Sequence, residues 1–299
     1  MNSNRAIRAI VRGAYDLQKL RIQTGLRIVA NFKVKLGQSP GERETELSTE
    51  AKVLLRDLRA DYRRLTDGLK GLPKRADFKP DELISEWAEL ALVAQYDDLD
   101  KAETKLFGMI EQELQKWPIY TEFLEPIRGI GPAMAGVIIS EIDISKATYP
   151  STLFRLAGLD VVLVEGEDGA TRTEGRGRKE GHLVTRQYTN KKGEQAERNS
   201  ITFNPFLKTK LIGVLASSFL RAGENRYAEE YRNYKHRLQN TPAHADKSKG
   251  HVHNMALRYM IKRFLIDLYH AWRELEGLEH HPEYGEAKLG IKHKKASGD

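Results

Sequence analysis

The residues best suited to chemistry are two glycines that flank one apolar residue and are followed directly by a proline. We expect Gly129 and Gly131 to adopt positive φ angles, which let the backbone approach a ligand closely. Pro132 favours the first turn of a helix, where its missing N–H costs nothing. The stretch therefore predicts a helix-hairpin-helix, whose second helix presents free N–H groups to an anion such as a nucleic-acid phosphate.

Two neighbours complete this predicted site. We expect Ile130 to pack between the two helices and Arg128 to lie beside the turn. Contacts of this kind position a nucleic-acid backbone and read no base sequence. The predicted binding residues of the hairpin are Arg128, Gly129, Ile130, Gly131 and Pro132.

A second candidate site lies in a segment rich in glycine and basic residues within 161–200. Residues 161–164 and 183–188 are typical of strands, and 165–181 between them are predicted to form a flexible loop. Basic loops suit phosphate contacts, whose affinity falls steeply with salt. The alternative is a solvated loop without a ligand. The predicted binding residues here are Arg172, Arg176, Arg178, Lys179 and Arg186.

Other polar residues give weaker patterns. The chain has no cysteine, which excludes disulfides, zinc–thiolate sites and cysteine nucleophiles. His251 and His253 are two positions apart on a predicted helix and so face different directions. We predict no metal and no cofactor. The acidic run at residues 97–100 is interpreted as a solvated helix face, and His182 as an exposed loop residue.

The apolar spacing predicts a mainly α fold with long N-terminal helices. Residues 1–118 are predicted to form a helical bundle or a coiled coil. Residues 119–280 are predicted to form the helix-hairpin-helix domain, with a small β insert at 161–200 and C-terminal helices. A basic, flexible tail is expected at 281–299. The predicted helix breaks are at Ser39-Pro40-Gly41, Leu72-Pro73, Pro118 and Thr241-Pro242, and predicted helix starts are near Pro80 and at Asn204-Pro205.

The overall charge is compatible with a polyanionic partner. The 299 residues include 49 Lys and Arg against 42 Asp and Glu, a formal net charge of +7. No window of 18 apolar residues is present, so we expect no membrane-spanning helix. Residues 1–6 are not followed by an apolar segment, so we expect no signal peptide and a cytoplasmic protein.

Two runs around the hairpin carry a resemblance to a known family. Residues 127–144, followed by Tyr149-Pro150-Ser151-Thr152-Leu153-Phe154-Arg155-Leu156-Ala157-Gly158-Leu159-Asp160, resemble the C-terminal domain of insertion-sequence transposases of the IS-one-ten type. Residues 116–120, 206–220 and 250–260 resemble further parts of that family. The resemblance covers roughly residues 85–275 and implies a helix-hairpin-helix protein acting in DNA transposition and recombination.

The chain departs from the family pattern in two respects. The family carries an N-terminal RuvC-like domain with four acidic residues, whereas residues 1–80 here show helical periodicity. The family also uses a serine in the glycine-rich stretch, whereas no serine occurs between Leu153 and Asn199. The resemblance therefore leaves enzymatic activity undecided, with Thr171, Thr173, Thr185, Tyr188 and Thr189 as the only hydroxyls in that stretch.

Three functions follow as alternatives. The first is a transposase-like protein that binds DNA, with a structured RNA as a further candidate partner and self-association through the N-terminal helices. The second is an active recombinase, which needs Thr171, Thr173 or Tyr188 buried beside Arg176 or His182. A loop splayed into solvent would count against it. The third is a non-catalytic coiled-coil interaction protein whose hairpin contacts only protein.

Overall fold

Helices form most of the chain, as the apolar spacing predicts. The computed structural model describes residues 4–39, 45–80, 82–165, 169 and 171–282. The chain divides into two compact units, residues 6–112 and residues 1–5 with 113–299. The predicted break at Pro40-Gly41 and the tail from residue 283 onward lie outside the described residues. No helix in the described ranges is long and apolar enough to span a membrane.

Three helices build the unit of residues 6–112. They are α1 (Arg5–Lys35), α2 (Thr49–Thr66) and α3 (Trp87–Leu114). Ser48 caps α2, because its side chain accepts a hydrogen bond from the Ala51 amide at 3.2 Å. The three helices share one apolar core, so this unit is a bundle within the chain. Its largest buried members are Ile28, Phe32, Leu58 and Ile84.

The acidic run on α3 is not wholly a solvated face: Asp98 is exposed as expected, but the expectation was wrong for Asp97 and Asp100, which both pair with Arg59 of α2. Asp97 is only 1% exposed. Its carboxylate lies 2.6 Å from an Arg59 nitrogen and 2.6 Å from Lys101 Nζ. Burial opposes the charged form, yet Lys101 and Arg59 hold the pKa of Asp97 below its ordinary value. The pattern of charges on one helix could not reveal the arginine on α2.

We expect Asp97→Asn to lower the free energy of unfolding by about 2 kcal/mol, because the buried carboxylate loses its charge-assisted hydrogen bonds with Arg59 and Lys101, although Arg59 keeps Asp100. The stabilisation by Asp97 is complete above the unfolded pKa of about 3.9 and is lost as the pH falls through the lower, folded pKa. Urea titrations at several pH values measure both effects. The matched control is Asp98→Asn, because the Asp98 side chain is exposed. Equal losses in the two variants would contradict this role.

The larger unit contains several short helices and a long C-terminal helix. They are α4 (Pro132–Glu141), α5 (Pro150–Leu156), α6 (Pro205–Thr209), α7 (Ala216–Arg221), α8 (Arg226–Gln239) and α9 (Lys249–Leu275). A π-helical stretch, Lys210–Leu215, joins α6 to α7. Helices α5 and α8 pack against α9.

The predicted start at Asn204-Pro205 and the break at Thr241-Pro242 are confirmed. The predicted start near Pro80 was wrong, since α3 begins at Trp87.

The β insert consists of two separate antiparallel pairs. Strand β1 (Val161–Glu165) pairs with β2 (Thr171–Gly175), and β3 (Val184–Thr189) pairs with β4 (Gln195–Ser200). The expected strands near 161–164 and 183–188 are therefore confirmed. The flexible loop expected over 165–181 was wrong in part, because β2 lies within it. Its two threonines suit a strand, but its charges and glycine hide the pattern.

Candidate nucleic-acid interface

The predicted hairpin is present as a tight turn between two helical segments. A π-helical stretch, Tyr120–Leu124, precedes the turn, and Pro132 occupies the first turn of α4. Gly129 has a φ of +98°, as expected. Gly131 has a φ of −94° and a ψ of 171°, so the positive φ expected there was wrong. Gly131 is the N-cap of α4, and N-cap residues adopt an extended backbone.

One side of the turn is covered by the protein itself. A Cβ atom on Gly129 would lie 3.0 Å from Phe219 Cδ1. The Ser218 hydroxyl donates to the Gly129 carbonyl at 2.7 Å, and the Asn225 amide donates to the Arg128 carbonyl. Ile130 is buried, as predicted. These contacts fix the turn rigidly against α7 and the start of α8.

The other side of the turn is open. A Cβ atom on Gly131 would meet no atom within 4 Å. The amides of Met134 and Ala135 both donate to the Gly131 carbonyl at 3.0 Å. Because proline has no N–H, the amides of Gly131 and Ala133 are the donors at this end that have no partner in the described part of the chain. The exposed Arg128 is also without an ion-pair partner there. A helix N-terminus of this kind suits an anion.

We expect Gly129→Ala to lower the free energy of unfolding by about 2 kcal/mol, because alanine is strained at positive φ and would collide with Phe219. Gly131→Ala is the matched control, and its cost should be smaller, about 0.5 kcal/mol, because alanine caps a helix less well than glycine but is unstrained at this extended backbone and meets no neighbour. Thermal unfolding of the two variants measures the difference. Similar losses in both would show that Gly129 has no special backbone role.

Two of the five basic residues predicted in the insert are neutralised by neighbours. Arg176 Nε lies 2.7 Å from an Asp160 carboxylate oxygen, and the Arg176 side chain is mostly buried. Lys179 Nζ lies 2.8 Å from Glu174. Both cations therefore already have a carboxylate partner. The partner of Arg176, Asp160, lies just before β1, so this ion pair links the insert to the segment that precedes it. The prediction of Arg176 as a binding residue gains no support from this geometry.

The other three predicted residues lie exposed on the insert. Arg172 lies on β2, Arg178 follows it, and Arg186 lies on β3. Arg178 and Arg186 form no ion pair with any described residue. Arg186 is directly opposite Arg198 on β4, a pairing of like charges that is unfavourable unless an anion neutralises it.

Sequence reasoning missed Arg198, because β4 carries no apolar alternation that would show its register. Its guanidinium lies 5.1 Å from the centre of the Tyr188 ring, which holds the side chain on the strand surface. Lys191 and Lys192 lie in the turn that joins β3 to β4. The β3–β4 ribbon therefore presents four cations, Arg186, Lys191, Lys192 and Arg198.

Positive charge is also concentrated around Lys208, where helix α6 meets the insert. Lys208 Nζ donates to the Arg176 carbonyl at 2.7 Å. Burial, together with Arg258, Arg178 and Arg176, lowers the pKa of Lys208 to about 8, although Asp160 acts in the opposite direction. The three arginines around Lys208 make this part of the surface electropositive, which attracts anions.

The remaining candidate residues are His182, which is buried, and three hydroxyl side chains, which are exposed. His182 is 3% exposed, so its expected exposure was wrong. It accepts a hydrogen bond from the Gly177 amide at 2.9 Å and lies 3.4 Å from Glu174. Thr171 and Thr173 lie exposed on β2 and Tyr188 on β3, so none of the three is buried as the recombinase hypothesis requires. Within the described ranges, no group of three His, Asp or Glu residues could hold a metal ion.

Comparison with known proteins adds no family to this picture: neither the models of protein families nor the sequences of curated proteins match the chain. The assignment of function therefore depends on the geometry of the hairpin and the insert.

Proposed function

We propose that this protein binds nucleic acid through the open side of the hairpin and the exposed cations of the insert. The observation that carries the proposal is the N-terminus of α4. There the amides of Gly131 and Ala133 lack partners in the described chain, and an unpaired Arg128 lies beside them. A phosphate supplies an acceptor for those amides and a charge for the arginine.

The second support is the division of the basic residues into paired and unpaired groups. Arg176 and Lys179 are held by carboxylates, whereas Arg178 and Arg186 have no such partner among the described residues. Exposed cations without a protein partner suit a phosphate backbone, and such contacts act on any base sequence. The formal net charge of +7 favours the same partner.

DNA is the partner we favour, in transposition or recombination, because the motifs around the hairpin resemble insertion-sequence transposases. A structured RNA is a further candidate, since the same phosphate contacts suit both polymers. We also propose self-association through the unit of residues 6–112. Its support is the exposure of large apolar residues there: Leu72 is 79% exposed and Trp87 is 43% exposed.

Purification without nuclease treatment tests the proposal. We expect nucleic acid to travel with the protein at low salt and to leave it at high salt. Digestion of the released material with DNase or RNase then identifies the polymer. Protein free of nucleic acid that also fails to bind added duplex or folded RNA would contradict the proposal. That result would favour the alternative of a hairpin that contacts only protein. Ser218 and Phe219 already contact one side of the turn in this way.

Strand cleavage is a second candidate function. Thr173 and Arg258 line the same cavity, so a hydroxyl and a cation share one enclosure. In such a reaction the Thr173 hydroxyl oxygen attacks phosphorus and gives up its proton, while the P–O bond to one deoxyribose breaks. The products are a phosphodiester between Thr173 and one DNA end and a free deoxyribose hydroxyl, which takes up a proton. If this occurs, Thr173→Val should abolish covalent protein–DNA adducts without loss of DNA binding. Equal adduct formation by both proteins would exclude Thr173.

A further inference from the structure

A cavity of about 690 Å³ lies in the unit of residues 113–299. Helix α9, the end of α8, the connection between them and the β1–β2 pair form its walls. Its cationic residues are Lys247, Arg258 and Lys262. Two histidines, His244 and His251, also line it. None of the described residues that line it is an aspartate or a glutamate. A concave surface with this charge is suited to an anionic ligand.

Arg258 is the central cation of this cavity. Its Nη2 donates only long hydrogen bonds, at 3.3 Å to the Gly158 carbonyl and 3.4 Å to the Asp160 carbonyl. The Asp160 carboxylate is engaged by Arg176, and no described carboxylate lies within ion-pair distance of Arg258. A Cβ atom on Gly175 would lie 3.1 Å from Arg258 Cζ, so glycine allows the guanidinium to lie against β2.

The other cations extend from Arg258 along one face of α9. His251, Arg258 and Lys262 recur at helical spacing, and Lys247 immediately precedes the cap residue Ser248. The N-terminus of α9 adds its own partial positive charge at the same end. His244 Nδ1 is buried and has no hydrogen-bond partner in the described chain. This wall therefore combines positive charge with one buried nitrogen, His244 Nδ1, that has no partner in the described chain.

Another part of the cavity wall is aromatic and apolar rather than charged. The rings of Tyr234 and Tyr259 are stacked, with centroids 4.0 Å apart and planes 6° apart. Met255, Leu159 and Val161 add apolar surface to the same cavity. Stacked aromatic rings with apolar neighbours give a planar group such as a nucleobase a surface to lie on.

We infer that this cavity binds one nucleotide, with its phosphate on Arg258, Lys247 and Lys262 and its base against the tyrosine pair. The inference deepens the proposed function and rests on it. The nucleotide comes either from free solution or from an unpaired position of a bound strand. The second source is geometrically feasible. The N-cap of helix α8, Asn225, lies beside the hairpin, and Tyr234 of the same helix lines the cavity about 13 Å further along the helix axis. That distance corresponds to about four phosphates of one strand.

Equilibrium titrations of the full chain test the inference. The probes are deoxyadenosine monophosphate, inorganic phosphate, deoxyadenosine and a short single strand. We expect Lys247→Gln with Lys262→Gln to weaken nucleotide binding about tenfold, because two charge-assisted contacts are lost. The matched control is Lys105→Gln with Arg232→Gln, which removes equal charge elsewhere and should change the affinity less than twofold. If the single strand binds more tightly than the free nucleotide, the nucleotide comes from a bound strand. If the free nucleotide binds more tightly, it comes from solution.

Photocrosslinking keeps the test independent of any effect on folding. A 5-iodouracil nucleotide bound to the unaltered protein should form adducts on peptides that contain Tyr234, Met255 or Tyr259. Adducts elsewhere, or no nucleotide binding at all, would overturn the inference. Inorganic phosphate that binds as tightly as the nucleotide would overturn it as well. Duplex binding measured on the same samples separates the two proposals, because it should persist if the cavity alone fails and disappear if the hairpin interface fails.

Discussion

Replacing Gly131 with aspartate is expected to weaken duplex DNA binding by about tenfold or more, while the protein stays as stable as before. Gly131 is the N-cap of α4, has an extended backbone and faces open space. Aspartate is among the preferred residues at such a position, since its side chain accepts hydrogen bonds from the first helical amides. One of those amides, that of Ala133, is among the two donors proposed to hold a phosphate. The carboxylate would occupy the Ala133 amide and repel the ligand.

Gly131→Asn is the matched control for this variant. Asparagine caps a helix as well as aspartate does but carries no charge. We expect it to reduce binding less than aspartate, with an equal melting temperature. Fluorescence anisotropy with a labelled duplex measures binding, and thermal unfolding measures stability. Wild-type affinity in Gly131→Asp would remove the hairpin from the interface and leave the insert as the sole candidate.

The second large effect concerns the salt dependence of binding. We expect Arg178→Gln and Arg186→Gln each to reduce the slope of log affinity against log salt by about 0.9, the value for one phosphate contact. The double variant should lose about two phosphate contacts and bind correspondingly more weakly at low salt. Neither change should affect stability, because both side chains are exposed and unpaired within the described chain.

Arg176→Gln supplies the contrast, because Arg176 carries the same charge in the same segment. It should leave the salt slope unchanged and lower the free energy of unfolding by about 2 kcal/mol, since the half-buried Asp160 loses its partner. The same titrations, combined with urea unfolding, measure both quantities. A reduced slope in Arg176→Gln with unaltered stability would show that the ion pair with Asp160 does not hold this arginine.

The hairpin could be predicted from sequence because its determinants are local. The order Gly129, Ile130, Gly131, Pro132 specifies a turn, a buried contact and a helix start within four residues. The positive φ at Gly131 was predicted wrongly for a reason that is also local. A residue before a proline that starts a helix is pushed towards an extended backbone, and the N-cap position requires the same.

The arrangement of the insert could not be read in the same way. Arg176 was predicted to bind a ligand, but its partner Asp160 lies 16 positions earlier in the chain. Strands β2 and β4 carry mostly exposed side chains, so no apolar alternation marks them. The cavity brings together residues 159–175 with residues 234–262, and only tertiary folding places Arg258 beside Gly175.

The most direct measurement of the central claim is the affinity of the unaltered protein for a labelled DNA duplex across a range of salt concentrations. Arg128, Arg178 and Arg186 are the three predicted contacts that lie exposed without an ion-pair partner in the described chain. They predict a fall of log affinity with log salt of slope about −3 or steeper. An affinity that does not change with salt, or no binding at low salt, would contradict a phosphate-binding interface on this protein.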